Sequence, residues 1–217
     1  AQKGLDPKRA NKYMCAIIAK NKNVEFDPID AGSYVARVWQ MIEIGNIAGF
    51  QGAIQNKVRI GFELPTEMKV FNPEKGEQPR VISQEYTLSF HEKSKLRKVI
   101  EACDPNALKV GEDGFLEEFD IEALIGKECL ITIAHKPKTD GSGPFAYVDG
   151  VTRLPKGMKC PGAINEPIVL SYDKWSEEIF DKQPDFIKEK IKGSQEYQRM
   201  INGEDGKQIN ETKDNPF

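Results

Sequence analysis

Histidine and cysteine are scarce in this sequence, and the few copies present form no catalytic or metal-binding pattern. The chain of 217 residues has two histidines and four cysteines. Neither His91 nor His135 lies near a nucleophile motif such as GxSxG, and neither has a second ligand at helical or strand spacing. The cysteines form no CxxC pair, so free thiols are expected rather than a zinc site. Without phosphate-binding GxxxxGK[ST] or GxGxxG loops either, we expect no enzyme activity, no cofactor and no metal.

Long apolar runs are also missing. No stretch approaches the roughly 18–20 uncharged apolar residues that span a bilayer. The N-terminal run MCAIIA is shorter than the apolar region of about 7–15 residues in a secretory signal. We therefore expect an intracellular protein with no membrane association. The net charge of −3 is not that of a uniformly basic nucleic-acid binder, but the charge on one face of the molecule decides such binding.

Alternating apolar residues predict five strands. In the clearest of them, Val58, Ile60, Phe62 and Leu64 point to one side, and Pro65 is expected to end the strand. A period change after the third strand predicts a helix, and Asp120 is a plausible N-cap for a second, shorter one. The strand segments, in order, are AGSYVARVWQMIEIG, NKVRIGFELP, RVISQEYTLSF, KECLITIAHKP and FAYVDGVTRLP, with the first helix at HEKSKLRKVIEACD.

This order of elements is the connectivity of the OB-fold, a small Greek-key barrel. We predict a mainly β protein with a five-stranded OB-type barrel over residues 31–155 and a helix between strands 3 and 4. An α+β sheet with a helix on one face is the alternative. An N-terminal arm (1–30) precedes the barrel. A wrapping segment with amphipathic helices (156–202) and a disordered acidic tail (203–217) follow it.

Two groups of basic residues lie on the predicted strands and helix. On the first two strands, alternation places Arg37, Trp39, Lys57 and Arg59 on the outer face if the apolar residues fill the barrel. Cations neutralise phosphates and an exposed ring stacks on any base at about 1–3 kcal/mol, so this mixture suits single-stranded nucleic acid. Alternatively, Trp39 caps an open end of the core. The helix carries a second basic group that is equally typical of a solvated face: Lys93, Lys95, Arg97 and Lys98.

A third group surrounds the turn between strands 4 and 5. Lys136 and Lys138 precede Phe145 and Tyr147 there, and in OB-folds this turn flanks the oligonucleotide groove. Basic and aromatic side chains interleaved at this position favour nucleic-acid binding. Phe145 or Tyr147 could equally belong to the core.

Several of these segments together resemble a group of bacteriophage-encoded proteins. The resemblance covers roughly residues 14–170, and LSFHEKSKLRK is its most distinctive part. That family is taken to consist of OB-fold, single-stranded-DNA-binding replication or recombination proteins. The resemblance implies an accessory role in phage DNA metabolism in the cytoplasm of a bacterial host. Its expected partners are single-stranded DNA and replication or recombination proteins, and the protein could also form homo-oligomers. An OB-fold module that binds a replication protein, without DNA affinity of its own, is the alternative.

The last seven residues of the sequence are ETKDNPF. This segment is similar to the ending of bacterial and some phage single-stranded-DNA-binding proteins, where an acidic segment tipped by Pro-Phe binds partner enzymes. The similarity makes Asp214, Pro216 and Phe217 candidate partner-binding residues. Lys207 and Lys213 interrupt the acidic charge, which departs from that pattern and leaves a chance ending as the alternative.

Overall fold

The computed structural model describes residues 28–112, 116–139, 141 and 143–203. The predicted N-terminal arm and acidic tail lie almost wholly outside these residues. The strands are β1 (Gly32–Ala48), β2 (Ile54–Asn72), β3 (Gly76–Thr87), β4 (Glu128–Pro137), β5 (Pro144–Thr152) and β6 (Ile168–Leu170). The helices are α1 (Lys95–Cys103), α2 (Glu177–Asp181), α3 (Asp185–Lys192) and α4 (Gln195–Ile201), with 3-10 turns at Phe50–Gly52 and Ile121–Leu124.

The predicted mainly β fold is confirmed. Five strands form a curled antiparallel sheet in the order β3-β2-β1-β4-β5, and β6 adds a short parallel pairing to β1. Gly32 at the start of β1 lies opposite Ile133 near the end of β4, so the β2–β3 and β4–β5 connections share one end of this half-barrel. We call it the hairpin end. α1, which packs against β3, β4 and β5, lies toward the opposite end, the helix end.

The core follows the alternation in the sequence. Val58, Ile60, Phe62 and Leu64 of β2 are all buried inside the half-barrel. Ala36 and Val38 of β1, Ile131 and Ile133 of β4, and Leu96, Val99 and Ile100 of α1 complete this main core. Burial of such side chains supplies most of the folding free energy, about 25 cal/mol per Å² of apolar surface.

A second core forms on the outer face of β1. A register shift between Val38 and Gln40 reverses the alternation, so Ile42 and Ile44 point away from the main core. They pack against Leu170 of β6 and against the C-terminal helices through Phe180, Ile187 and Ile191. The chain after β5 is therefore fixed to the sheet by its own apolar cluster.

Pro65 does not end β2, contrary to the sequence prediction. A register shift between Leu64 and Met68 absorbs the proline, and β2 and β3 continue as a two-stranded arm at the hairpin end. Within the described residues, no helix has the length and apolar character needed to cross a bilayer.

Candidate nucleic-acid interface

The β4–β5 hairpin brings three of the predicted site residues together. Its register places Lys136 directly opposite Phe145, and Tyr147 follows Phe145 on the same side of β5. Ile133 and Val148 point into the core, so this trio lies on the outer face. We call Lys136, Phe145 and Tyr147 the hairpin patch.

The hairpin patch is a cation beside two accessible rings. The Lys136 Nζ lies 4.4 Å from the centroid of the Tyr147 ring. The Phe145 and Tyr147 centroids are 6.2 Å apart with a tilt of 51°, and Phe145 is 38% exposed. Partial desolvation and the nearby Asp149 carboxylate raise the pKa of Tyr147, whose hydroxyl donates to Asp149 Oδ1 at 3.3 Å. A tyrosine phenol is neutral at physiological pH, so the charges at this patch are the Lys136 ammonium and the neighbouring Asp149 carboxylate.

Lys138 lies in the turn of the same hairpin. Its backbone N–H donates to the Gly143 carbonyl at 3.1 Å, and the Gly141 N–H donates back to the Lys138 carbonyl at 3.2 Å. Gly141 and Gly143 both have positive φ, which glycine adopts without strain. The turn thus holds Lys138 at the tip, close in sequence and space to the hairpin patch.

A basic segment that the sequence analysis missed follows β5. Arg153, Lys156 and Lys159 are exposed, and no acidic residue occurs between Asp149 and Glu166. That gap in acidic residues was the available signal. At about 3.3 Å per residue, Arg153, just beyond the end of β5, lies about 26 Å from Phe145, so cations flank both ends of the strand.

The arm at the hairpin end supplies another exposed ring. Phe71 is 58% exposed at its tip, where Asn72 pairs with Gly76. Met68 and Val70 of the arm are exposed as well. Sequence reasoning did not identify this ring, since it expected the strand to end at Pro65.

Arg37 and Trp39 point outward but are engaged within the protein. The Arg37 guanidinium donates to the carbonyls of Gly126 at 3.0 Å and Pro161 at 2.6 Å, and to Glu128 Oε1 at 3.0 Å. The Trp39 indole lies across β2, since a Cβ built on Gly61 would sit 3.1 Å from the indole nitrogen. Arg37 therefore fixes the segment after β5 to the half-barrel, and Trp39 covers β2.

Lys57 and Arg59 are engaged as well. The Lys57 Nζ donates to Thr87 Oγ1 at 3.2 Å. α3 places the Phe186 ring 5.4 Å from the Arg59 Cζ, and burial lowers the pKa of Arg59. Arg37, Trp39, Lys57 and Arg59 thus do not form one open surface, because the chain after β5 covers much of that face.

The basic group of α1 is separate from the hairpin patch. Lys93 and Lys95 are exposed, whereas Arg97 donates to Glu101 Oε1 at 2.7 Å and to the Phe90 carbonyl at 3.2 Å. The end of α1 borders a shallow depression with Lys127 and Arg153, near the start of β4 and the end of β5. The hairpin patch lies at the other ends of these two strands.

Among the described residues, no three His, Cys, Asp or Glu side chains converge in a way that would hold a metal ion. The Cys129 thiol has a raised pKa because of its interaction with Cys103 and its burial, so it is not an activated nucleophile. Asp214, Pro216 and Phe217 lie outside the described residues. No protein-family model matches the chain, and no curated protein matches it.

Proposed function

We propose that this protein binds single-stranded DNA with little sequence preference, through the hairpin patch and the basic segment after β5. The observation that carries the proposal is the Lys136 ammonium beside Tyr147 with the exposed Phe145 next to it. Stacking on an aromatic ring tolerates any base, because every base has a π face, and cations neutralise the phosphates between stacked bases.

The proposed fold is an OB-type barrel with α1 between its third and fourth strands. Three features support it: β1 pairs with both β2 and β4, β5 follows β4 as a hairpin, and β3 approaches β5. In OB-folds the turn between the fourth and fifth strands borders the oligonucleotide groove. The hairpin patch and Lys138 occupy the equivalent position here.

The surface charge distribution supports a nucleic-acid path along β5. Arg153, Lys156 and Lys159 lie beyond its helix end, and Lys136 lies at its hairpin end. The rings of Phe145 and Tyr147 sit beside Lys136, and Phe71 of the arm is exposed at the same end of the half-barrel. A single strand of DNA following this path would meet the rings and Lys136 at the hairpin end, and the basic segment at the helix end.

In the cell, such binding would protect single strands and present them to replication or recombination enzymes of a phage. The support is the resemblance of residues 14–170 to phage-encoded DNA-binding proteins, together with the Pro-Phe ending. Asp214, Pro216 and Phe217 would form the docking tip for such an enzyme, apart from the DNA-binding surface.

The test is a fluorescence anisotropy titration of labelled oligo-dT and of the matched duplex, repeated over a range of salt concentrations. We expect saturable binding to the single strand, weaker binding to the duplex, and a linear fall of log affinity with log salt. Absence of binding at low salt, or affinity insensitive to salt, would refute the proposal. The remaining candidate would then be a protein-interaction module, which is favoured by a cavity at the helix end whose lining includes Glu43, Asp120, Glu122 and Asp173.

A further inference from the structure

A cavity of about 570 Å³ opens at the helix end of the half-barrel, away from the hairpin patch. Four parts of the chain form it: the inner faces of β1 and β2, the residues after β3, the residues before β4, and the residues around β6. Its apolar wall includes Leu88, Phe90, Phe119, Ile121 and Val169. A cavity of this volume accommodates several large side chains.

Carboxylates outnumber cations around this cavity. Glu43, Asp120, Glu122 and Asp173 line it, and Lys174 is the cation among its lining residues. Lys174 is already paired with Glu122 at 2.8 Å. Glu43 and Asp120 each accept one backbone N–H, from Tyr172 at 3.0 Å and from Glu122 at 2.9 Å.

The Ser171 hydroxyl adds a polar group without a partner. It belongs to a lining residue, and its buried Oγ has no hydrogen-bond partner among the described residues. Apolar walls and excess carboxylates suit a peptide segment with large apolar side chains flanked by Lys or Arg. The same charges disfavour nucleic acid.

The chain itself contains a segment of this chemistry. Residues 7–24, PKRANKYMCAIIAKNKNV, carry the cations Lys8, Arg9, Lys12, Lys20 and Lys22 and no acidic residue. Its centre, YMCAIIA, is apolar. These residues lie outside the described part of the structure.

The position of Ile29 favours a neighbouring copy as the donor of this segment. The Ile29 carbonyl contacts His135 Nε2 at 2.7 Å, at the hairpin end, whereas the cavity opens at the helix end. From Ile29 back to Ile17, a fully extended chain reaches at most about 43 Å. The path along β1 from Ile29 to Glu43 is about 46 Å at the strand rise, so Ile17 could enter the cavity of its own molecule only with the intervening segment fully extended.

We propose that residues 7–24 of one molecule bind the acidic cavity of a second copy. The contact joins different surfaces of the two copies, so it is heterologous and can continue from molecule to molecule. It requires no DNA. On a single strand, the same contact would make neighbouring molecules bind cooperatively, a consequence that rests on the proposed function.

The test is sedimentation velocity of the full chain without nucleic acid, over a wide range of protein concentration. We expect concentration-dependent association at low salt that weakens at high salt. The segment variant Lys12→Glu/Lys20→Glu and the cavity variant Asp173→Lys should each raise the dissociation constant about tenfold or more, because like charges then face each other. Combining the two changes should recover part of the affinity. Ile17→Asp should also weaken association, since it places a charge against the apolar wall.

The matched control is Lys156→Glu/Lys159→Glu, which makes the same charge change in the basic segment after β5. It should lower DNA affinity and leave the DNA-free association unchanged, so failure of this proposal is distinguishable from failure of the DNA-binding proposal. A monomer at every concentration in low salt would overturn the inference. So would association that survives the segment and cavity variants unchanged, or that Phe217→Ala abolishes, since the C-terminal tip would then be the occupant.

Discussion

The guanidinium of Arg59 lies over the ring of Phe186, 5.4 Å from its centroid, and this contact joins the outer face of β2 to α3. A second contact between the sheet and this helix joins Lys190 of α3 to Glu85 of β3 at 2.7 Å. Beneath them, Ile187 and Ile191 pack against Ile42 and Ile44. The C-terminal helices are thus part of the folded unit, which leaves the β4–β5 side as the open face of the sheet.

Ile187→Ala should therefore destabilise the whole protein. Ile187 is completely buried between α3 and β1, and truncating a buried Ile costs about 2–5 kcal/mol. Urea denaturation followed by circular dichroism measures the loss. Ile201→Ala is the matched control, because Ile201 is 55% exposed and surface changes stay within about 0.5 kcal/mol. Equal stabilities of the two variants would show that the helices are not integral to the fold.

Phe145→Ala/Tyr147→Ala should weaken binding of oligo-dT without unfolding the protein. Each ring that stacks on a base contributes about 1–3 kcal/mol, so the double variant should lose at least tenfold in affinity. Phe186→Ala is the control, since Phe186 is 55% exposed on α3, which packs over β1 and β2 rather than on the β4–β5 hairpin. Anisotropy titrations of the three proteins at one salt concentration make the comparison. Equal losses in both variants would remove the hairpin patch from the proposed site.

Lys156→Ala/Lys159→Ala should reduce the salt dependence of DNA binding. For single strands, each phosphate contact contributes about −0.7 to the slope of log affinity against log salt, so the slope should become shallower by about 1.4. Lys192→Ala, an exposed cation on α3, should leave the slope unchanged. An unaltered slope in the double variant would show that the basic segment makes no phosphate contacts.

Part of the fold was predictable because its signals are local. One-sided alternation identified Val58, Ile60, Phe62 and Leu64 as core. Asp120 does cap a short helical turn, accepting the Glu122 N–H at 2.9 Å, although the turn is 3-10. Such features depend on neighbours in sequence alone.

The missed parts depend on distant contacts. Alternation identified the outward face of Arg37 and Arg59, but it carries no information about which later segment covers that face. The reversal that turns Ile42 and Ile44 outward comes from a register shift between Val38 and Gln40, which only the pairing with β2 defines. Likewise, Phe145 and Tyr147 could not be separated from core residues until the hairpin register placed Val148 inside.

Trp39→Ala tests the residue that alternation placed in the DNA-binding group. Trp39 is partly buried across Gly61, with its indole nitrogen enclosed and unpaired among the described residues. Truncating a large packed side chain costs about 3–5 kcal/mol where burial is complete, and a smaller share of that is expected here. Thermal unfolding should show the loss, and oligo-dT affinity measured well below the melting temperature should be unchanged. A selective loss of affinity would return Trp39 to the DNA-binding surface.

Glu43→Gln should stabilise the protein at neutral pH. Burial raises the pKa of Glu43, and the carboxylates of Glu196, Asp173 and Glu122 raise it further, against a hydrogen bond from the Tyr172 N–H that lowers it. The folded state therefore holds the proton to higher pH than the unfolded chain, whose Glu titrates near 4.5. Between these two pKa values the folded state binds more protons, so stability falls as pH rises through that window.

A neutral Gln removes the free-energy cost of keeping the buried Glu43 side chain ionised. Its side-chain oxygen can still accept the Tyr172 N–H. Melting temperatures of wild type and Glu43→Gln should accordingly differ at neutral pH, with the variant higher, and converge at a pH below the window, where Glu43 is protonated in both states. Glu128→Gln is the matched control: Glu128 is paired with Arg37 at 3.0 Å, so its neutralisation removes a favourable contact and should not stabilise the protein. A variant less stable than wild type at neutral pH would mean that the Glu43 charge is compensated in the folded state.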